Sequence, residues 1–180
     1  GLDIPAIAAN KQAGRDMAAV YCDGTVCSHP IAGDRLSNAD LLELPVDWLV
    51  PAAMENQITA DNADRIQAQW ILEVANGPVT AAADAILDAK GIRVVPDILA
   101  NAGGVTVSYF EWVQNRSGLY WTAEEVASRL AERMVRETRH IAGLAINQGL
   151  TLRTAAYVHA LDRLSAAIQV KGTRDYYSQR

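Results

Sequence analysis

Apolar residues along the chain fall into short continuous runs and into longer stretches with helical spacing. The runs at residues 46–50, 70–74 and 92–95 are almost entirely apolar, which is typical of strands covered on both faces. Segments of helical spacing at 59–67 and 81–90 separate them. Strand and helix therefore alternate in a rhythm that predicts a βαβαβ unit with a parallel sheet.

The last third of the chain has helical spacing throughout. Thr122 precedes acidic residues and predicts the start of a helix that reaches residue 147, and Gly149 predicts its end. A final helix is predicted over residues 151–170. The fold class is thus α/β, with about three parallel strands flanked by helices and followed by further helices.

The pattern before the first strand is weaker. It predicts helices at residues 3–13 and 37–44, and one short strand at 18–21 within a long connection. Because the chain enters a helix directly, with no preceding strand, we expect it to be a fragment of a larger protein.

Composition and charge exclude several classes of function. The chain has 180 residues, of which 50% are apolar, and its net charge is −5. This suits one globular domain and argues against nucleic-acid or membrane binding as its main role. No apolar run has the roughly 20 residues that a membrane span needs, and no signal peptide is evident.

The cysteine and histidine pattern does not favour a metal site. Four residues separate Cys22 from Cys27. No second Cys or His pair at the spacing of zinc ligands accompanies them, so a zinc site is not indicated. We expect reduced thiols in a cytoplasmic protein and no bound metal.

An asparagine lies in each of the three loops that follow the predicted strands. Asn56, Asn76 and Asn101 fall at residues 51–57, 75–78 and 96–104. Ligands of open parallel sheets bind at this carboxyl edge, and neutral amides suit a ribose or a nicotinamide. The alternative is that each asparagine only stabilises a turn by bonding its own backbone.

The helix after the third strand carries further candidates. Asn101, Val105 and Ser108 share one face, and Gly103 and Gly104 in the first turn predict that a ligand approaches the backbone closely. The Ser108 hydroxyl either binds a substrate carboxylate or bonds back to an earlier carbonyl of its own helix.

No catalytic dyad is evident from the sequence. His29, His140 and His159 are separated, in a loop and on two different helices. Glu55 and Asp97 follow strands and are the better acidic candidates, although acids at such positions commonly cap helices. The residues alone therefore predict a ligand site without a reaction.

Several of these motifs resemble those of glutamate dehydrogenases, within the glutamate, leucine, phenylalanine and valine dehydrogenase superfamily. They are PAAMENQIT at 51–59, NADRI at 62–66, ANGP at 75–78 and the run from 94 to 115 with SYFEWVQN at its end. The resemblance extends over residues 1–170. The SYFEW run favours the glutamate branch.

The resemblance implies roles for particular residues. Ala53, Asn76 and Asn101 would contact an NAD or NADP cofactor. Ser108 would bond a carboxylate of the substrate, and Val105 would pack on the substrate's carbon chain. No residue of this chain matches the catalytic lysine and aspartate of the family.

The resemblance also implies an organisation. Residues 1–120 would be the later portion of a Rossmann-like NAD(P)-binding domain, residues 121–170 helices packed on it, and 171–180 a tail. The substrate domain and the first βαβ unit would be absent.

The parent enzyme would interconvert L-glutamate with 2-oxoglutarate and ammonia, as a homohexamer, and the isolated chain would be inactive. An open sheet edge predicts self-association of the chain. The alternatives are a leucine-, phenylalanine- or valine-type dehydrogenase, and a non-catalytic oligomerisation or regulatory remnant.

Overall fold

The computed structural model describes residues 4–14 and 36–170. The chain divides into two compact units, Gly1–Leu41 and Leu42–Arg180. Helix α1, Ile4–Gln12, lies in the first unit and confirms the first predicted helix. The strand predicted at 18–21, both cysteines, His29 and the tail fall outside the described residues.

Helix α2, Asn38–Leu42, begins after a reciprocal cap. The Ser37 hydroxyl accepts a hydrogen bond from the Asp40 backbone N–H, and the Asp40 carboxylate accepts one from the Ser37 N–H. Such a cap satisfies backbone groups that the helix itself leaves unpaired. It confirms the helix predicted at 37–44, though the helix is shorter.

Three parallel strands in the order β1-β2-β3 form the sheet of the second unit. They are β1, Trp48–Leu49, β2, Trp70–Leu72, and β3, Arg93–Val95, each within one of the predicted runs. The sheet packs on a core of buried apolar side chains: Leu42, Leu49, Ile58, Ile66, Ile71, Leu87 and Ile92. The predicted fold class is confirmed.

The connection between β1 and β2 is not the helix predicted over residues 59–67. It contains a single 3₁₀ turn, Ala63–Arg65. The Asn62 side chain accepts a hydrogen bond from the Thr59 N–H at 2.8 Å, and the Lys90 ammonium binds carbonyls of the turn. These side-chain bonds replace the backbone bonds that would continue a helix.

Helix α3, Ala81–Ala89, joins β2 to β3 as predicted. The Thr80 hydroxyl caps its start by accepting from the Ala83 N–H. Gly91 follows its end with φ +74°, a conformation that glycine adopts without strain.

Two helices, not one, follow β3. They are α4, Asp97–Ala100, and α5, Ala102–Ser117, separated at Asn101, where φ is −99° and ψ is 3°. The helical face predicted from Asn101 to Ser108 is therefore interrupted at its first residue. Gly118 ends α5 in the left-handed conformation.

Helices α6, Ala123–Gln148, and α7, Leu152–Val170, complete the described fold. The predicted start of α6 is confirmed by a full capping box, and Gly149 ends the helix. A second apolar core, to which Val95 of β3 contributes, lies where α4, α6 and α7 meet: Leu99, Ile141, Ala145, Ala155 and Ala156. None of the helices in residues 4–14 and 36–170 has the length and apolarity to cross a membrane.

Candidate functional site

Backbone hydrogen bonds bring the loops after the strands together at the carboxyl edge of the sheet. The Pro51 carbonyl accepts hydrogen bonds from the N–H groups of Val74 and Ala75, at 3.1 and 2.9 Å. The Asn56 N–H donates to the Gly77 carbonyl at 2.9 Å. The predicted grouping of these loops on one edge is therefore present in the fold.

Two of the three loop asparagines form a direct pair. The Asn101 amide nitrogen donates to the Asn76 amide oxygen at 2.7 Å and to the Val74 carbonyl at 3.3 Å. Asn76 is exposed and Asn101 half-buried. The remaining amide groups, the Asn76 nitrogen and the Asn101 oxygen, make no hydrogen bond to the described residues, so the pair presents a donor and an acceptor.

The third asparagine has a backbone role. Asn56 has φ +54°, the left-handed region that asparagine tolerates better than most residues. Its turn carries the chain from the exposed 52–55 segment, which includes Ala53, into the bonds with Gly77. Asn56 therefore fits the alternative interpretation, in which the asparagine serves the turn.

Asp97, predicted as an acidic candidate, is 17% exposed and uses its carboxylate to bind backbone N–H groups. One oxygen accepts from the Gly77 N–H at 2.9 Å, and the other accepts from the Ile98 N–H at 2.7 Å. The Asp97 side chain thereby ties the loop after β2 to the start of α4. Glu55 is exposed on the first loop, and its carbonyl accepts from the Gln57 side chain.

A buried ion network that the sequence did not predict lies beneath these loops. Glu73 is 0% exposed and receives two hydrogen bonds from the Arg153 guanidinium, at 2.8 and 2.9 Å. Arg153 also donates to both oxygens of Asp84, at 3.0 and 3.2 Å. The one indication in the sequence was a glutamate inside the apolar run 70–74.

The charges of this network support one another. Burial alone lowers the pKa of Arg153, but its hydrogen bonds with Glu73 and Asp84 outweigh burial and raise that pKa above its ordinary value. The guanidinium is therefore permanently charged and compensates the buried carboxylate.

The substrate candidates lie on the exposed face of α5. Val105 is 70% exposed. The Ser108 hydroxyl donates to the Gly104 carbonyl at 3.1 Å, so in this structure it bonds to an earlier carbonyl of its own helix, which is the second of the two predicted alternatives. A Cβ at Gly104 would meet nothing within 4 Å, and one at Gly103 would meet only Leu130, at 3.8 Å. The packing of the chain itself therefore does not require glycine at either position. This is consistent with the prediction that a ligand approaches the backbone closely there.

His140 and His159 lie close together, although their positions on two different helices predicted that they are separated. Their rings lie 4.3 Å apart between centroids, and His159 bonds the Glu137 carboxylate at 2.8 Å. Among the described residues, no group of His, Cys, Asp and Glu is arranged to hold a metal ion.

An open cavity of about 610 Å³ lies at the opposite edge of the sheet. Residues 66–70 and 90–93 line it, at the amino ends of β2 and β3. Ligands of open parallel sheets bind at the carboxyl edge. We therefore assign the candidate site to the asparagine pair and not to this cavity.

Comparisons with known proteins identify the relatives of this chain. The family model for Glutamate/Leucine/Phenylalanine/Valine dehydrogenase matches residues 1–172. The NADP-specific glutamate dehydrogenase of Synechocystis sp. is 60% identical over 177 residues, which are 98% of this chain and 41% of that protein. The glutamate dehydrogenase of Thermotoga maritima is 49% identical over 149 residues, 83% of this chain and 36% of that protein.

Solved structures give the same result. The hetero-hexameric glutamate dehydrogenase of Thermus thermophilus, in a leucine-bound form, matches 95% of this chain and 38% of its own, with a TM-score of 0.78 and 33% identity. The glutamate dehydrogenase of Peptoniphilus asaccharolyticus matches 68% of this chain and 31% of its own, with a TM-score of 0.64 and 43% identity. The chain thus spans about 40% of the length of the relatives that it matches most fully.

Proposed function

The chain belongs to the Glutamate/Leucine/Phenylalanine/Valine dehydrogenase family, and we propose that it forms the dinucleotide-binding part of a glutamate dehydrogenase. Residues 1–120 are the later portion of a Rossmann-like domain, and residues 121–170 are helices packed on it. The reaction is the NAD(P)-dependent conversion of L-glutamate to 2-oxoglutarate and ammonia. The proposal of glutamate as substrate rests on the similarity to glutamate dehydrogenases.

The Asn76–Asn101 pair is the observation that carries this proposal. It presents one amide donor and one amide acceptor at the carboxyl edge, which complements a carboxamide such as that of nicotinamide. The pair consists of two uncharged amides, and the carboxylate of the neighbouring Asp97 is engaged by the N–H groups of Gly77 and Ile98. These residues fit a nicotinamide dinucleotide.

The remaining contacts follow from the same placement. Ala53, Asn76 and Asn101 bind and orient the dinucleotide, which when bound accepts the hydride that leaves the substrate's α-carbon. Ser108 holds a substrate carboxylate through its hydroxyl, which releases the Gly104 carbonyl when it does so, and Val105 packs on the substrate's carbon chain. Both lie exposed on α5, one and two turns beyond Asn101. The relatives include NADP-specific and NAD-specific enzymes, so both cofactors belong in the test.

A binding titration tests the proposal. NADPH and NADH are titrated separately into the 180-residue chain and followed by nicotinamide fluorescence. Replacing Asn101 by Ala removes one hydrogen-bonding group of the pair and should weaken binding about tenfold, since such a bond contributes about 1 kcal/mol or somewhat more. Asn147→Ala, an exposed asparagine on α6, is the matched control and should bind like the wild type.

Two results would contradict the proposal. One is a wild-type chain that binds neither dinucleotide, and the other is an Asn101→Ala variant with unchanged affinity. We further propose that the chain alone does not oxidise glutamate, because none of its residues matches the family's catalytic lysine and aspartate. Glutamate-dependent reduction of NAD or NADP by the purified chain would overturn that part.

We also propose that the chain self-associates. Strand β1 pairs only with β2 among the described strands, and the open backbone edge of such a strand can pair with another copy. Trp48 on this strand is 52% exposed. Sedimentation velocity should show a dimer or larger species, and a monomer at all concentrations would refute the idea.

A further inference from the structure

Arg153 lies at the start of α7, far along the chain from the loops of the candidate site. Its side chain is only 19% exposed, and its guanidinium contacts two elements. Two donors engage Glu73, which follows β2, and two engage Asp84 on α3. An Arg fork that holds two carboxylates in this way has little freedom to rotate.

The Glu73 contact continues to the loop after β3. One Glu73 oxygen receives both Arg153 Nη1 and the backbone N–H of Asp97, at 2.9 and 2.8 Å. The Asp97 carboxylate in turn accepts from the Gly77 N–H, and its other oxygen lies 3.8 Å from Arg153 Nη1. A chain of hydrogen bonds therefore runs from α7 through Glu73 and Asp97 to Gly77.

Both asparagines of the pair are attached to this chain of bonds. Asn76 precedes Gly77, the residue that Asp97 holds. Asn101 follows α4, which begins at Asp97, and its amide also donates to the Val74 carbonyl beside Glu73. Asp97 is therefore linked to both asparagines of the pair, to Asn76 through Gly77 and to Asn101 through α4.

We infer that Arg153, acting through Glu73 and Asp97, is a positioning residue that sets the geometry of the Asn76–Asn101 amide pair. The link to dinucleotide binding rests on the proposed function above. The positioning of the pair itself does not, because it can be observed without ligand.

The network offers a matched pair of variants that separates positioning from stability. Asp97→Ala and Asp84→Ala each remove one carboxylate from the surroundings of Arg153. Only Asp97 also holds Gly77. A purely structural network predicts similar effects of the two variants, whereas positioning predicts that only Asp97→Ala disturbs the amide pair.

The readout is nuclear magnetic resonance of the ligand-free 180-residue chain, with NADPH titration alongside. In Asp97→Ala, the Gly77 backbone amide should exchange with solvent at least about tenfold faster, because it has lost a charge-assisted bond. The side-chain amide resonances of Asn101 should move and the Kd for NADPH should rise. Asp84→Ala should keep the wild-type exchange rate, resonances and affinity.

A third variant tests Arg153 directly. Arg153→Lys keeps the charge but lacks the planar fork, so it should move the Asn101 resonances while the chain stays folded. If this variant does not fold, Glu73→Gln takes its place, because it weakens the bonds of Arg153 and leaves the Asp97–Gly77 bond in place, and it should also move the Asn101 resonances. Unmoved Asn101 resonances in the folded variant would overturn the role of Arg153. Equal effects of Asp97→Ala and Asp84→Ala on the pair, or no effect of Asp97→Ala, would overturn the inference. A wild-type chain that binds no NADPH would refute the proposed function, while the ligand-free spectra would still decide on positioning.

Discussion

Replacing Arg153 by Met should cost about 3–5 kcal/mol of the free energy of unfolding, because it leaves a buried carboxylate without its partner. Glu73 is 0% exposed, so water cannot replace the guanidinium. The variant removes two charge-assisted hydrogen bonds from Glu73, and each such bond contributes about 1.5–3 kcal/mol. The two bonds together give about 3–6 kcal/mol, which overlaps the first figure. Either value is a large part of the roughly 5–15 kcal/mol by which domains are typically stable.

The assay is urea unfolding at pH 7, followed by far-ultraviolet circular dichroism. Arg163→Met is the matched control, since Arg163 lies on the same helix and contacts Glu137 at 3.3 Å but is 59% exposed. Exposed ion pairs contribute about 1 kcal/mol or less, so this variant should remain close to the wild type.

A double-mutant cycle completes the test. Glu73→Gln combined with Arg153→Met removes both charges, and this variant should be more stable than the sum of the two single changes predicts. Recovery of stability in the double variant would also support the reasoning if Arg153→Met alone fails to fold. The reasoning is refuted if Arg153→Met loses no more than Arg163→Met, or if the Glu73 and Arg153 changes are additive.

Two further predictions concern helix residues. Gly104→Ala should stabilise the chain or leave its stability unchanged, because alanine is the better helix former by about 1 kcal/mol and its Cβ meets open space. The same variant should weaken NADPH binding. A loss of stability in thermal unfolding would contradict this prediction. Thr122→Ala removes the cap of α6 and should lower the free energy of unfolding in urea by about 1 kcal/mol. Thr122→Ser keeps a capping hydroxyl and should retain most of that stability. Equal losses in the two variants would contradict the capping role.

A further prediction concerns pH. Burial opposes ionisation of Glu137, but hydrogen bonds from His159 and Arg136 outweigh it and lower the pKa of Glu137 below its ordinary value of 4.5. A carboxyl with a lowered pKa stabilises the folded state above pH 4.5, and that contribution disappears as the pH falls through the folded-state pKa. Glu137→Gln should therefore lower stability at pH 7 and flatten the loss of stability in acid. An unchanged acid profile would refute the assignment.

Local signals predicted the elements whose ends are fixed by their own residues. Thr122 and Gly149 mark α6 correctly, because a capping hydroxyl and a left-handed glycine act within one turn of the helix. The helix predicted at 59–67 is wrong, because Asn62 bonds its neighbours and Lys90 binds carbonyls of the turn from a distant position. The first cause is visible in the sequence, whereas the second requires the fold.

The grouping of the loop asparagines could be predicted, since parallel strands place their carboxyl ends on one edge. The ion network beneath these asparagines could not be predicted, because Arg153 and Glu73 are 80 residues apart in sequence and only tertiary packing brings them together. The interpretation of Asp97 as a candidate acid did not anticipate that backbone N–H groups occupy both its oxygens. A carboxylate after a strand has the same sequence pattern in both roles.

The hydrogen bonds of the Asp97 carboxylate bear on the proposed dinucleotide site. An oxidised nicotinamide ring is positively charged and a reduced one is neutral. A carboxylate exposed about 4 Å from the ring would favour the oxidised form by about 4 kcal/mol at an effective dielectric constant of 20. Neutral amides lack this bias. The Asp97 carboxylate instead binds the Gly77 and Ile98 N–H groups and braces the loops, and the amides of the proposed site remain neutral.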